Sequence, residues 1–267
     1  MVCCFSVITV YLNRREAQNA DRQNMKVYTG GIRMIGCLIL HGFAGSRHDI
    51  GDIEQHFKGK MGWLVYTPEL PGHDGTKDSM KTVTYKHWIL KAKIALEELL
   101  KRCDTIYVIG FSMGGIIASY LAARYPVDRL ALLSAAAFYI NPKQLMEDMK
   151  GWFVDGIRGE LGEDEYYQLY REKLRNTPVS STFEFAKMVH KIRPHLSEVS
   201  VPTLVIQGEK DGLVPVKSAE YIYEHIQSEE KVLYFFPEAK HYIWYSGERD
   251  NLLKQLDLFF GENNKIE

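Results

Sequence analysis

Apolar residues in this chain gather in short unbroken runs, separated by longer stretches in which they recur every three or four positions. The runs are Met34–Leu40, Gly62–Thr67, Thr105–Gly110, Arg129–Ser134, Thr203–Gly208 and Val232–Phe236. Stretches of that length, apolar at successive positions, suit strands covered on both faces. In the longer stretches, Trp88, Ala92, Ala95, Leu96, Leu99 and Cys103 fall on one face of a helix. Met113–Arg124 and Asn251–Phe260 read as two more helices. Alternating strand and helix predicts an α/β fold, a mostly parallel twisted sheet with helices on both faces.

The rhythm breaks twice. Between Phe138 and Leu196 no strand-like run occurs, and the 59 residues are helical in pattern and rich in Tyr, Phe and charge. Ser181-Thr182-Phe183-Glu184 reads as a capping box opening a helix with Phe185, Met188, Val189 and Ile192 inward. A segment this long between two core strands exceeds an ordinary connection. It predicts a small helical cap at the strands' carboxyl ends, where open α/β sheets bind ligands. A helical hairpin with no gating role is the alternative. At the other end, Val2–Leu12 is apolar but too short to span a bilayer, and Asn13–Asn24 is polar. Residues 1–24 are therefore expected to be an extension outside the fold, with 25–137 and 197–267 forming the core and 138–196 the cap.

Candidate chemistry sits at the ends of the predicted strands. Gly110-Phe111-Ser112-Met113-Gly114 follows one strand and opens a helix, the context of a nucleophile elbow. A serine hydroxyl is a weak nucleophile and needs a base, an acid that orients the base, and donors for the oxyanion. Asp211 lies in the turn after Gly208, and His241 in the loop after Phe236, so the chain order is Ser, Asp, His. That order prefers Asp211 to Glu209 and makes His241 the base, although an Asx turn and a plain loop histidine are the bland alternatives. The Met113 N–H, directly after the nucleophile, is one expected oxyanion donor, and the Phe43 N–H, in the turn after Leu40, the other. His41 and His73 stand beside glycines in turns, where a structural hydrogen-bonding role is expected.

Composition narrows the classes without choosing among them. The chain has 267 residues, 46% hydrophobic and 25% charged, with a net charge of -1. Such balance offers no field for nucleic acid or an anionic membrane surface. The four cysteines show no metal-ligand spacing, and Cys37 and Cys103 read as small core residues. No metal or cofactor is called for, and a reducing, cytoplasmic setting fits best.

These motifs resemble the α/β-hydrolase superfamily and, within it, the bacterial carboxylesterases and monoacylglycerol lipases. The likeness rests on Leu40-His41-Gly42-Phe43 with Gly45, Pro71-Gly72-His73, Gly110 to Gly115, Asp211 with Pro215, and His241. It implies Ser112, Asp211 and His241 as catalytic residues, Phe43 and Met113 as oxyanion donors, and no cofactor. The substrate implied is a small ester, of short- to medium-chain acyl groups, with monoacylglycerols among the candidates. Two departures are visible: Gly72-His73-Asp74-Gly75 stands where the family usually has Gly-His-Gly, and residues 1–24 match nothing in the family pattern. Two other readings remain open. A carbon–carbon bond hydrolase or related lyase would use the same triad, and a ligand-binding protein would keep the fold without turnover. Oligomeric state has no signature in the sequence.

Overall fold

The computed structural model describes residues 34–74, 76–138 and 177–261. The expected extension, 1–24, and most of the expected cap lie outside them. Six strands form one sheet: β1 (Ile35–Leu40), β2 (Trp63–Tyr66), β3 (Thr105–Phe111), β4 (Arg129–Leu133), β5 (Thr203–Gly208) and β6 (Lys231–Phe236). All neighbours pair in parallel, in the spatial order β2-β1-β3-β4-β5-β6. Each strand lies within a residue or two of its apolar run. The chain moves outward from β1 to β2 and then crosses back to β3. The crevice between the carboxyl ends of β1 and β3 is therefore a topological switch point, the usual ligand position in such sheets.

Side chains alternate across the strands and build a core on each face. Leu38, Leu40, Val108, Leu130, Leu132 and Val205 face one layer, packed by α3 (Tyr85–Arg102) and α4 (Met113–Ala122). The predicted face of α3, Trp88 through Leu99, is buried there. Ile39, Ile109, Phe111, Leu133 and Ile206 face the other layer, which holds Ile53 and Phe57 of α1 (Gly51–Lys58) and Leu252 and Leu256 of α7 (Arg249–Phe259). Cys37 and Cys103 are both buried, and burial pushes the Cys37 thiol well above its usual range.

Three helices have weak sequence signals. They are α1, the short α2 (Lys77–Lys81) and α6 (Val216–His225), which packs on β5 and β6. Helix α5 (Val179–Ile192) does bury Phe185, Met188, Val189 and Ile192, as its pattern predicts, but the capping box is not where the helix begins. Pro178 precedes the first turn, and Ser181 and Thr182 are buried inside it. The Ser181 hydroxyl donates to the Met80 carbonyl at 3.0 Å, tying α5 to α2 instead of capping. The apolar face of α5 joins the same core cluster as α3 and α4, so this end of the long insertion is rooted in the core.

Candidate active site

The turn from β3 into α4 holds Ser112 at φ 53 and ψ -116, in the region that favours glycine. Its backbone is held on both sides. The Ser112 N–H donates to Leu133 O at 2.9 Å, and Ser112 O accepts from Gly115 N–H at 3.0 Å and Ala136 N–H at 3.2 Å. The flanking glycines make the turn possible. A Cβ at Gly114 would lie 2.3 Å from Leu40 O, and one at Gly110 would lie 2.5 Å from Gly114 O. A side chain at either position would push the helix off the sheet.

Asp211 follows β5 in a turn that it organises itself. Its Oδ1 accepts from Leu213 N–H at 2.8 Å and Val214 N–H at 2.9 Å, and its Oδ2 accepts from Gln207 Nε2 at 2.8 Å. The remaining contact of Oδ2 is His241 Nδ1, at 2.8 Å. With its partner a carboxylate, Nδ1 is the donor in that bond. The His241 ring rests on Phe111, centroids 4.8 Å apart, directly beside Ser112 in the chain. Its backbone is fixed by the Ser134 hydroxyl, which donates to His241 O at 3.0 Å. Glu209 is exposed just beyond β5, and it is Asp211 that contacts the imidazole.

Gln207 is a residue the sequence reading passed over. Fully buried in β5, it donates through Nε2 to Asp211 Oδ2, Gly208 O and Val214 O, which holds the acid turn against the strand. A long amide side chain among the apolar residues near the end of β5 was the available signal. Gly208 is another. A Cβ there would lie 2.4 Å from Ala239 O, so only glycine lets the His241 loop approach the acid turn.

The switch-point crevice brings the turn after β1 beside the elbow. A Cβ at Gly42 would meet the Ser112 Cβ at 3.2 Å. Among the described residues neither the Phe43 N–H nor the Met113 N–H has an acceptor. For Met113, the first residue of α4, this is the ordinary state of a helix start, and the helix dipole favours negative charge there. Ala44, at φ 56, and the Gly45 N–H···O Gly42 bond of 3.3 Å shape the turn that carries Phe43. The Phe43 ring stacks on Phe185 of α5, centroids 5.0 Å apart, and meets Trp88 and His73 edge-on.

His41 and His73 lie beneath this turn. His41 Nε2 accepts from Leu70 N–H at 3.0 Å, and its Nδ1 donates to Gly42 O at 2.9 Å. An accepting Nε2 has no proton to offer Glu69, 3.4 Å away, so that contact is not an ion pair. Burial pushes the His73 pKa down to about 4, while its Nδ1 donates to Pro71 O. The departure from Gly-His-Gly is absorbed locally: Asp74 accepts from the Thr76 N–H and from the Thr76 and Ser79 hydroxyls. These bonds hold the Asp74 carboxyl below its usual range.

With a serine, an imidazole, a buried carboxylate and two unengaged N–H groups at one sheet edge, the geometry suits attack on an acyl carbon. Residues 35–250 match the family model described as Serine aminopeptidase, S33. The chain belongs to this family of α/β hydrolases. Among its relatives, a thermostable monoacylglycerol lipase from Bacillus sp. (strain H-257) is 26% identical, covering 86% of this chain and 91% of that protein. A carboxylesterase from Bacillus subtilis (strain 168) is 20% identical, covering 84% of this chain and 90% of that one. A solved metagenome-derived lipolytic enzyme from the LipS and LipT work superposes with a TM-score of 0.71 at 23% identity, covering 86% of this chain and 95% of the other. That likeness bears on the fold, which is the α/β-hydrolase fold. This family member is thus a hydrolase whose relatives cleave esters. Among its described residues no helix is long and apolar enough to cross a membrane.

Proposed function

We propose that this hydrolase cleaves neutral carboxylic esters of short- to medium-chain acyl groups, monoacylglycerols among them, through an acyl-enzyme on Ser112. The observation that carries the reading is the 2.8 Å bond between His241 Nδ1 and Asp211, at the same sheet edge as the strained serine. His241 takes the Ser112 proton as the oxygen attacks the acyl carbon and returns it to the departing alcohol. Asp211 holds the tautomer and stabilises the imidazolium that forms. The N–H groups of Phe43 and Met113 receive the oxyanion, a contribution of roughly 3–4 kcal/mol per donor in comparable enzymes. Water then repeats the sequence in reverse and frees the acid. On this reading 25–137 and 197–267 are the catalytic core. Residues 138–196 are a cap whose last helix, α5, presses Phe185 onto the oxyanion turn.

Turnover of p-nitrophenyl butyrate and labelling by a fluorophosphonate test the proposal. Ser112→Ala is expected to lose labelling and at least about 10⁴-fold in kcat. Undiminished hydrolysis by that variant would remove Ser112 from the mechanism.

A further inference from the structure

The carboxyl edge of the sheet carries a second cluster that the proton relay does not use. Phe138, just past β4, has the Arg193 guanidinium and the Lys217 ammonium each 5.4 Å from its ring centroid. Tyr221 meets Phe138 edge-on at 4.7 Å and lies 5.7 Å from the same guanidinium, and His225 stacks on Tyr221 at 3.7 Å. Among the described residues neither cation is ion-paired to a carboxylate, although Glu220 and Glu224 share α6 with Lys217. Two like charges gathered on one ring repel, and an exposed cation–π contact contributes only about 0.5–1 kcal/mol. Lys217 is exposed and Arg193 half-buried, so both charges are open to an anion from outside.

Its position is tied to the nucleophile. The Ser218 hydroxyl, next to Lys217, accepts from Ala137 N–H at 2.8 Å and Phe138 N–H at 3.2 Å and donates to Ala135 O at 2.7 Å. Ala136 N–H, in the same strip, donates to Ser112 O. Two residues of chain reach at most about 7 Å, so Phe138 stays close to the elbow. Helix α6 itself starts directly after the Asp211 turn. The cations thus gather on Phe138, two residues along the chain from the Ala136 N–H that bonds the elbow.

We infer that Arg193 and Lys217 form a subsite for an anionic group, a carboxylate or a phosphate, at the far end of the substrate's acyl chain. Beyond neutral esters, the enzyme then takes esters whose acyl part ends in a negative charge. Turnover of such esters rests on the acyl-transfer reading above; binding of the anion does not. Rates with mono-p-nitrophenyl suberate, its counterpart bearing a terminal phosphate, and p-nitrophenyl octanoate test the subsite at matched chain length. The wild type is expected to favour an anionic ester in kcat/KM, less so as salt rises. The ratio of anionic to neutral rates should fall about tenfold in the Arg193→Gln, Lys217→Gln double variant and recover when the charges are restored as Arg193→Lys, Lys217→Arg. Preference for one of the two anionic esters says which anion the subsite takes. A ratio unchanged by the double variant overturns the proposal. Calorimetric titration of suberate into Ser112→Ala protein, with and without the two Gln substitutions, reads the subsite without turnover. Binding lost with the cations supports it, and absent or undiminished binding overturns it. If no ester is hydrolysed by the wild type, the acyl-transfer reading fails and the titration alone decides.

Discussion

Ser112 sits at a positive φ that costs a non-glycine residue roughly 1–3 kcal/mol, and the three backbone bonds around it keep it there. On the proposed mechanism this turn also presents the nucleophile, so strain and reactivity would share one cause. Glycine relieves the strain but frees the unfolded chain by about 0.5–1 kcal/mol, so Ser112→Gly is expected to raise stability by a net ~1 kcal/mol. Denaturant unfolding of Ser112→Gly beside Ser112→Ala checks this, since alanine keeps the strain while both remove the hydroxyl; a glycine variant less stable than the alanine one by about 0.5–1 kcal/mol would show the turn to be relaxed. His73 supplies a pH-dependent counterpart. Its folded pKa, about 4, lies below the unfolded value of 6.5, so as pH falls below 6.5 the unfolded chain takes up a proton that the folded one refuses. Stability should decline by roughly 3 kcal/mol between pH 6.5 and 4 and then level off on this account. His73→Asn is expected to flatten that decline in melts at pH 7 and pH 4.5.

At the scale of elements, the site is made by loops that approach one another only because particular residues are absent or small. The loops after β5 and β6 meet over Gly208, where Lys210 N–H donates to Ala239 O at 3.0 Å. In Gly208→Ala the new methyl meets backbone and must displace the segment that carries His241. Displacements near 1 Å at a reacting centre cost on the order of 10²-fold, and that loss in kcat/KM is expected. Structural destabilisation of about 1–3 kcal/mol should accompany it, as for other overpacked sites. Steady-state kinetics combined with thermal unfolding separates the two effects. Retained activity would mean that the His241 loop does not depend on this close approach.

Across the whole molecule, stability and chemistry lie at opposite ends of the sheet. The carboxyl end holds the polar residues described above. The amino end is aromatic: Phe260, just past α7, stacks on Tyr107 at 4.6 Å and meets Phe57 and Trp63 edge-on. The Tyr107 hydroxyl also donates to Phe260 O at 3.2 Å. Phe260→Ala should cost roughly 3–5 kcal/mol of stability while leaving kcat per folded molecule within about twofold, since none of these rings reaches the elbow. Calorimetry with active-site titration checks this, and a fall in kcat beyond the loss of folded protein would contradict the separation.

The strands and the main helix faces were legible in the linear order because buried strands and amphipathic helices impose periodicities that need no partner to be seen. Helices α1 and α6 were not, since short helices with mixed surfaces are held mainly by packing against the sheet. The start of α5 was misread because Ser181 and Glu184 have cap spacing, while burial against Met80 gives the serine another partner. At the site, chain order alone named Ser112, Asp211 and His241, since strand ends in a parallel sheet all point to one edge. Gln207, the close approach over Gly208 and the pairing of Arg193 with Lys217 around Phe138 were decided only by the tertiary structure. Each depends on atoms distant in the chain meeting within a few ångströms, and no local periodicity records such a meeting.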